Sequence, residues 1–188
     1  MDPDFTNRAD IADLLGIPRP RTSVCLYPIY RSRVEIPEAL LALATQWAQD
    51  RSKDPRTKVG AVVYDYETGA SFMGYNGFNS GMPDFQVVWD NRERGTPNNK
   101  YRFVRHAEAN AIEKATKLLG HLHGRNTVLV LTHYPCPDCM TDHIIPAGIK
   151  VVFFAEHHDA NPTTATLAAI HGIALNQLTP PRTATEQA

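Results

Sequence analysis

Long apolar runs are missing from this sequence. Nowhere do about 18 apolar residues follow one another, so a membrane span is not expected. Cysteine is scarce: Cys25, Cys136 and Cys139 are too few for a disulfide scaffold, and a reducing cytoplasm is the compartment they fit. Charge of neither sign dominates, with 19 Lys and Arg against 20 Asp and Glu. Polynucleotide binders normally carry a basic excess or stripe. Here "RPRTS", "RSR" and "NRER" are short and interrupted, and read better as solvated surface. The opening "MDPDFTNRAD" is acidic and polar, unlike a secretion signal. Internal repeats are absent as well.

What is present suits one globular domain, with 43% hydrophobic residues over 188 positions. Residues 1–34, rich in Pro and Arg and without a period, read as an extension lying on the domain or at a subunit contact. Cys25 stands alone there, and a structural or neutral role is expected for it. Residues 35–178 read as the folded domain and 179–188 as a flexible tail. "PEALLALATQWAQD" predicts a helix with Pro37 in its first turn and Leu40, Leu43, Ala44 and Trp47 on the buried face. "KVGAVVYD" and "SFMGYNG" predict an antiparallel hairpin turning at "YETG". The polar segment 76–101 has no period, and loops of that length are usually functional or disordered. "RFVRHAEANAIEKATKLL" predicts a helix burying Ala107, Ala111, Ile112, Ala115, Leu118 and Leu119. "TVLVLT" and "KVVFFA" read as buried strands around a short helix in "PCPDCMTDHIIPAG", with Pro137 near its start and Gly148 past its end. "TTATLAAIHG" reads as a helix and "IALNQL" as a last strand. Strands separated by helices pair in parallel. The expected fold is a three-layer α/β/α domain on a mixed, roughly five-stranded sheet.

The helix from residue 106 opens with His106 and Glu108, which are costly to bury unless paired or bound to metal. Cys136 and Cys139 follow in "YPCPDC". One imidazole and two thiolates suit tetrahedral zinc, with the fourth position left to water, and three protein ligands with an open position point to catalysis. Residues two apart in a regular helix diverge by about 200°. His106 and Glu108 can face one centre only if His106 is the cap, not yet in helical geometry. Glu108 is then an acid–base group and not a ligand. A thioredoxin-type C-x-x-C pair leaves His106 and Glu108 unexplained, and a closed zinc site using Glu108 is a further alternative. His121, His123, His157 and His158 read as surface.

H-x-E followed by P-C-x-x-C is the signature of the zinc nucleobase deaminases. "RSKDPRTKVGAVVYD", "GYNGF", "KYRFVRHAEANAI" and "PAGIKVVFF" further resemble, in order and spacing, the deoxycytidylate (dCMP) deaminase family over roughly residues 38 to 155. The resemblance implies the cytidine deaminase-like form of the fold and hydrolysis of dCMP to dUMP and ammonia. It implies one zinc per chain on His106, Cys136 and Cys139, zinc-hydroxide attack on C4, and Glu108 as proton shuttle. It also implies a homo-oligomer, a hexamer in many members, with dCTP and dTTP as effectors at Gly74, Tyr75, Asn76 and Gly77.

For substrate, Asn76 is a candidate partner of the sugar or base, and Tyr134 of the pyrimidine ring. Arg56 matches a phosphate-contacting position in some relatives, and Lys53 is a second cation. A turn, core or surface role competes at each position. Two departures matter. "NSGMPDFQVVWDNRERGTPNN" has no cysteine for the second, structural zinc of some relatives. "AEHHDANP" puts His157 and His158 where regulated members often show Tyr near the phosphate. That leaves room for a 5-substituted dCMP, dCTP or free cytidine, or an unregulated enzyme. A tRNA adenosine deaminase shares the zinc motif, but the balanced charge argues against one. A binding protein on a dead deaminase fold is argued against by four intact site residues.

Overall fold

A computed structural model describes residues 35–79, 81–83, 85–157 and 161–178. The expected extension 1–34, with Cys25, and the tail 179–188 lie outside the described residues. In chain order the elements are α1 (Glu35–Arg51), β1 (Gly60–Asp65), β2 (Ser71–Tyr75), β3 (Gly77–Phe78), α2 (Gln86–Asp90) and a 3-10 turn (Lys100–Arg102). There follow β4 (Val104–Arg105), α3 (Ala107–Leu119), β5 (Thr127–His133), α4 (Pro137–Cys139), a π turn (Met140–Ile144), β6 (Val151–Glu156), α5 (Pro162–His171) and β7 (Ala174–Gln177).

The five-stranded sheet has the order β2-β1-β5-β6-β7. β1 pairs antiparallel with both β2 and β5, while β5, β6 and β7 are parallel, as strands joined through helices must be. Alternate residues of each strand divide between two cores. Ala61, Val63, Leu129 and Leu131 face α3, the π turn and α5. Val62, Val128 and Val130 face α1, with Leu178 in the same cluster. The result is the expected three-layer mixed α/β/α domain.

α1 is rotated from its expected face. It buries Leu40, Leu41, Ala44 and Ala48, while Leu43 is 37% exposed and Trp47 only half-buried. The reason is close approach: a Cβ on Gly60 would stand 2.0 Å from Ala44 O, so the small residues of α1 lie flat on β1. In α3 the alanines and Ile112 are buried as expected and Leu119 packs partly buried against the same core, but Leu118 is 76% exposed. Segment 76–101 carries regular elements among its described residues. It holds α2, the 3-10 turn, and β3, which pairs with β4 in a second small sheet. Trp89 from α2 is buried and stacks on Phe78 at 4.1 Å.

Candidate metal centre

Two helix starts meet beyond the carboxyl end of β5. His106 caps α3 with extended backbone, φ −73° and ψ 155°, before the chain becomes helical at Ala107. This is the geometry that lets His106 and Glu108 turn toward one centre. Cys136 caps α4 in the same way, φ −77° and ψ 162°, with Pro137 in the first turn supplying its fixed φ. Cys139 ends α4, and its N–H donates to Cys136 Sγ at 3.4 Å. His106 Nδ1 lies 3.2 Å from Cys139 Sγ and 3.5 Å from Cys136 Sγ. All three donor atoms fall within 4.8 Å of one another. Zinc bonds of about 2.0–2.3 Å give a tetrahedron with edges of roughly 3.3–3.8 Å. The three atoms therefore fit one zinc ion, and nitrogen with two sulfurs is a donor set it takes. Among the described residues no other such cluster exists.

The metal-free electrostatics follow from this crowding. The Cys136 thiol is lowered to about 4 by the Cys139 hydrogen bond first, with His106 also lowering it against the opposing effect of burial. His106 is raised to about 9, chiefly by its bond to Cys136, with Glu108 and Asp138 adding negative charge nearby. The Cys139 thiol is pushed up by its bond to the Cys136 thiolate and by burial. Glu108 is 5% exposed, and burial raises its carboxyl above the usual range despite the His106 charge. Its carboxylate shares a hydrogen bond with Cys139. A groove of about 370 Å³, lined in part by Asn79, Arg102, His106 and Cys139, opens beside the ligands.

The other expected site residues are placed as follows. Asn76 is buried and its amide is largely committed. Oδ1 accepts from Ser52 Oγ at 2.7 Å and from Val59 N at 2.9 Å, and Nδ2 donates to Thr57 O at 2.8 Å. One Nδ2 hydrogen is left for any other partner. Arg56 is exposed, and its guanidinium bonds to none of the described residues, while its N–H donates to Asp54 Oδ1 at 3.0 Å. Lys53 is exposed on the same loop. Tyr134, two residues before Cys136, is half-buried, edge-on to Phe154 and stacked on the exposed His157 at 4.9 Å. Gly74 is covered by α3, Gly77 is buried, and Tyr75 is the half-exposed member of that run.

Sequence reasoning also missed three bonded residues: Asp54 and Lys100, which pair between the loop after α1 and the segment before α3, and Asn110, whose amide bonds Tyr75 O. Asp54 is fully buried and accepts from Lys100 Nζ at 2.5 Å. Its only signal was its place in the "SKDP" run, which periodicity cannot interpret.

The family model described as the cytidine and deoxycytidylate deaminase zinc-binding region matches residues 34–156. Deoxycytidylate deaminase of Mus musculus is 36% identical over 151 residues, 78% of this chain and 82% of that protein. The Homo sapiens deoxycytidylate deaminase is 36% identical over 136 residues, 70% and 72% of the two chains. Among solved structures, the dCMP deaminase of cyanophage S-TIM5 in complex with dCMP and dUMP superposes with a TM-score of 0.59. It is 30% identical, over 77% of this chain and 97% of that one.

Proposed function

This chain belongs to the cytidine and deoxycytidylate deaminase family, and from that membership we propose that it hydrolyses dCMP to dUMP and ammonia. The observation that carries the reading is the convergence of His106 Nδ1, Cys136 Sγ and Cys139 Sγ within 4.8 Å, with the buried Glu108 beside them. Those three residues hold one zinc, which when bound supplies the Lewis acidity that makes water a nucleophile near neutral pH.

Glu108 moves the protons. Its carboxylate takes one from the attacking water and delivers it to ring N3 as C4 becomes tetrahedral. It then takes the remaining hydroxyl proton and passes it to the departing amine. The C4 carbonyl forms, the C4–N4 bond breaks, and ammonia leaves with both protons accounted for. Burial suits Glu108 to this task, since a proton carrier works best with a pKa near the working pH.

Tyr134 packs on the pyrimidine ring, and Arg56 or Lys53 meets the 5′-phosphate from the loop after α1. Asn76 contributes to the sugar or base through its one uncommitted Nδ2 hydrogen, its other groups holding that loop in place. The finer family traits are carried with the same proposal: a cytoplasmic homo-oligomer, a hexamer in form, and dCTP and dTTP acting through Tyr75 and its neighbours. No helix among the described residues is long and apolar enough to cross a membrane.

The test is ammonia release from the zinc-loaded protein with dCMP, cytidine, dCTP, 5-methyl-dCMP and an adenosine-containing tRNA hairpin. Preference for dCMP supports the reading, and turnover of the hairpin alone overturns it. Adding dCTP or dTTP to the dCMP assay tests regulation.

A further inference from the structure

The end of β2 lies beneath the start of α3. A Cβ on Gly74 would stand 2.2 Å from Ala107 O and 2.5 Å from Ala111 N, so strand and helix backbones are in contact. Two side chains of α3 then reach down to strand carbonyls. Asn110 Nδ2 donates to Tyr75 O at 2.8 Å, and Lys114 Nζ to Met73 O at 2.7 Å. Asn110 has a second attachment, because its backbone N–H donates to His106 O at 3.2 Å. It is bonded through its main chain to the residue presenting the imidazole, and through its side chain to the sheet.

We propose that Asn110 is a positioning residue of the metal centre. Its amide sets the rotation of the first turn of α3 on β2, and with it the directions of His106 and Glu108. A first helical turn is held by few backbone bonds and frays readily. His106 lies outside the helix and its carbonyl is held by the main-chain N–H of Asn110, so the seating of Asn110 on β2 is passed on to it. Asn is also a poorer helix former than Ala, a local cost that the Tyr75 bond offsets. Lys114 fastens the same helix to the same strand one turn further from the metal ligands. Small rotations matter at the near end, where about 1 Å of misplacement costs roughly 100-fold in rate.

The role in turnover rests on the deaminase reading, but the role in metal binding does not. Asn110→Asp keeps the size and removes the donor. Asn110→Ala removes the donor and favours the helix, which guards against a variant that fails to fold. Zinc affinity is read by competition with a chromophoric chelator, and ligand geometry by the visible bands of the cobalt(II)-loaded protein. Both Asn110 variants are expected to bind zinc about 10- to 100-fold more weakly, as loss of a ligand's supporting bond does, and to shift the cobalt bands. Lys114→Met is expected to lower stability while leaving affinity within about twofold and the bands in place. Unchanged affinity and bands in the Asn110 variants, or equal weakening in Lys114→Met, overturns the proposal. A parent protein that binds zinc but leaves dCMP intact would sink the substrate assignment and leave this comparison valid.

Discussion

Lys100 Nζ lies 2.5 Å from Asp54 Oδ2, and the two side chains are 7% and 0% exposed. The pair joins the segment before α3 to the loop after α1, across 46 positions of sequence. The same carboxylate accepts from the N–H groups of Arg56 and Thr57 at 3.0 and 3.2 Å and meets Arg92 at 3.4 Å. Removing one partner of such a pair strands a buried charge. Asp54→Leu or Lys100→Met is therefore expected to cost about 3–5 kcal/mol in urea denaturation. The double variant should recover only part of that, since the two N–H groups still lack their acceptor. A single variant within about 1 kcal/mol of the parent would refute the buried-pair account.

Acid should expose the same group. Burial pushes the Asp54 carboxyl up, but Lys100 and the two backbone N–H groups outweigh it and hold the folded pKa below the usual range. The unfolded carboxyl titrates near about 3.9. The stabilisation is thus full above that value and is lost as pH falls through the lower, folded pKa. Asp65, beside Arg125 at 2.6 Å, follows the same rule. Asp54→Asn is expected to flatten the acid limb of the stability curve, so that parent and variant start to approach each other below about pH 4 and meet only below the depressed folded pKa. Parallel curves down to the acid end would show that Asp54 is not the group responsible.

Glu108 has the opposite linkage. Its folded pKa is raised by burial, so the metal-free protein loses stability as pH rises from the unfolded pKa toward the folded one. Glu108→Gln should consequently stabilise the metal-free protein at neutral pH. In the zinc-loaded protein it should retain the metal and lose at least ~100-fold in dCMP turnover. Metal content by elemental analysis separates the two effects. Near-normal turnover would remove Glu108 from the proton path.

The parts of this molecule written in local spacing were legible in the sequence. Apolar runs and the helices between them disclosed the sheet, and the impossibility of His106 and Glu108 sharing a helical face disclosed the cap. The face of α1 was not legible, because leucines and alanines occupy both sides and the choice was made by Gly60 pressing on Ala44. Segment 76–101 looked structureless because its order comes from contacts that leave no period, Lys100 with the distant Asp54 and Trp89 with Phe78 within the segment. Asn76 stands where a substrate contact was expected, yet its amide mainly bonds Ser52, Thr57 and Val59. A side chain's appetite for backbone groups far along the chain leaves no periodic trace.

The metal-free cluster makes a prediction about proton count. Between the values of about 4 for Cys136 and about 9 for His106, the cluster holds a thiolate, an imidazolium and the Cys139 thiol. Zinc needs both sulfurs deprotonated and the imidazole neutral. Binding near neutral pH should therefore release about two protons, one from His106 and one from Cys139. Apparent affinity should rise with pH more steeply below about 9, where His106 still carries its proton, than above it, where only the Cys139 thiol has one left to release. Calorimetry in buffers of differing ionisation enthalpy counts the protons. About one would mean that His106 or Cys139 has already lost its proton in the metal-free protein.

Arg56 is held by its main chain and free at its end. Its N–H is fixed on Asp54 Oδ1, while its guanidinium bonds to no described residue. A cation presented from a fixed loop with no carboxylate partner among the described residues is suited to an anionic group arriving with the substrate. One charge-assisted hydrogen bond contributes about 1.5–3 kcal/mol. Arg56→Ala is accordingly expected to raise the KM for dCMP by about 10- to 100-fold with little change in kcat, since the phosphate is remote from the reacting carbon. Cytidine, which has no phosphate, should be deaminated equally by parent and variant. Equal losses on both substrates would show that Arg56 supports the loop and does not read the phosphate. Lys53→Ala, run alongside, assigns the contact to one cation or the other: the variant that loses dCMP alone carries it.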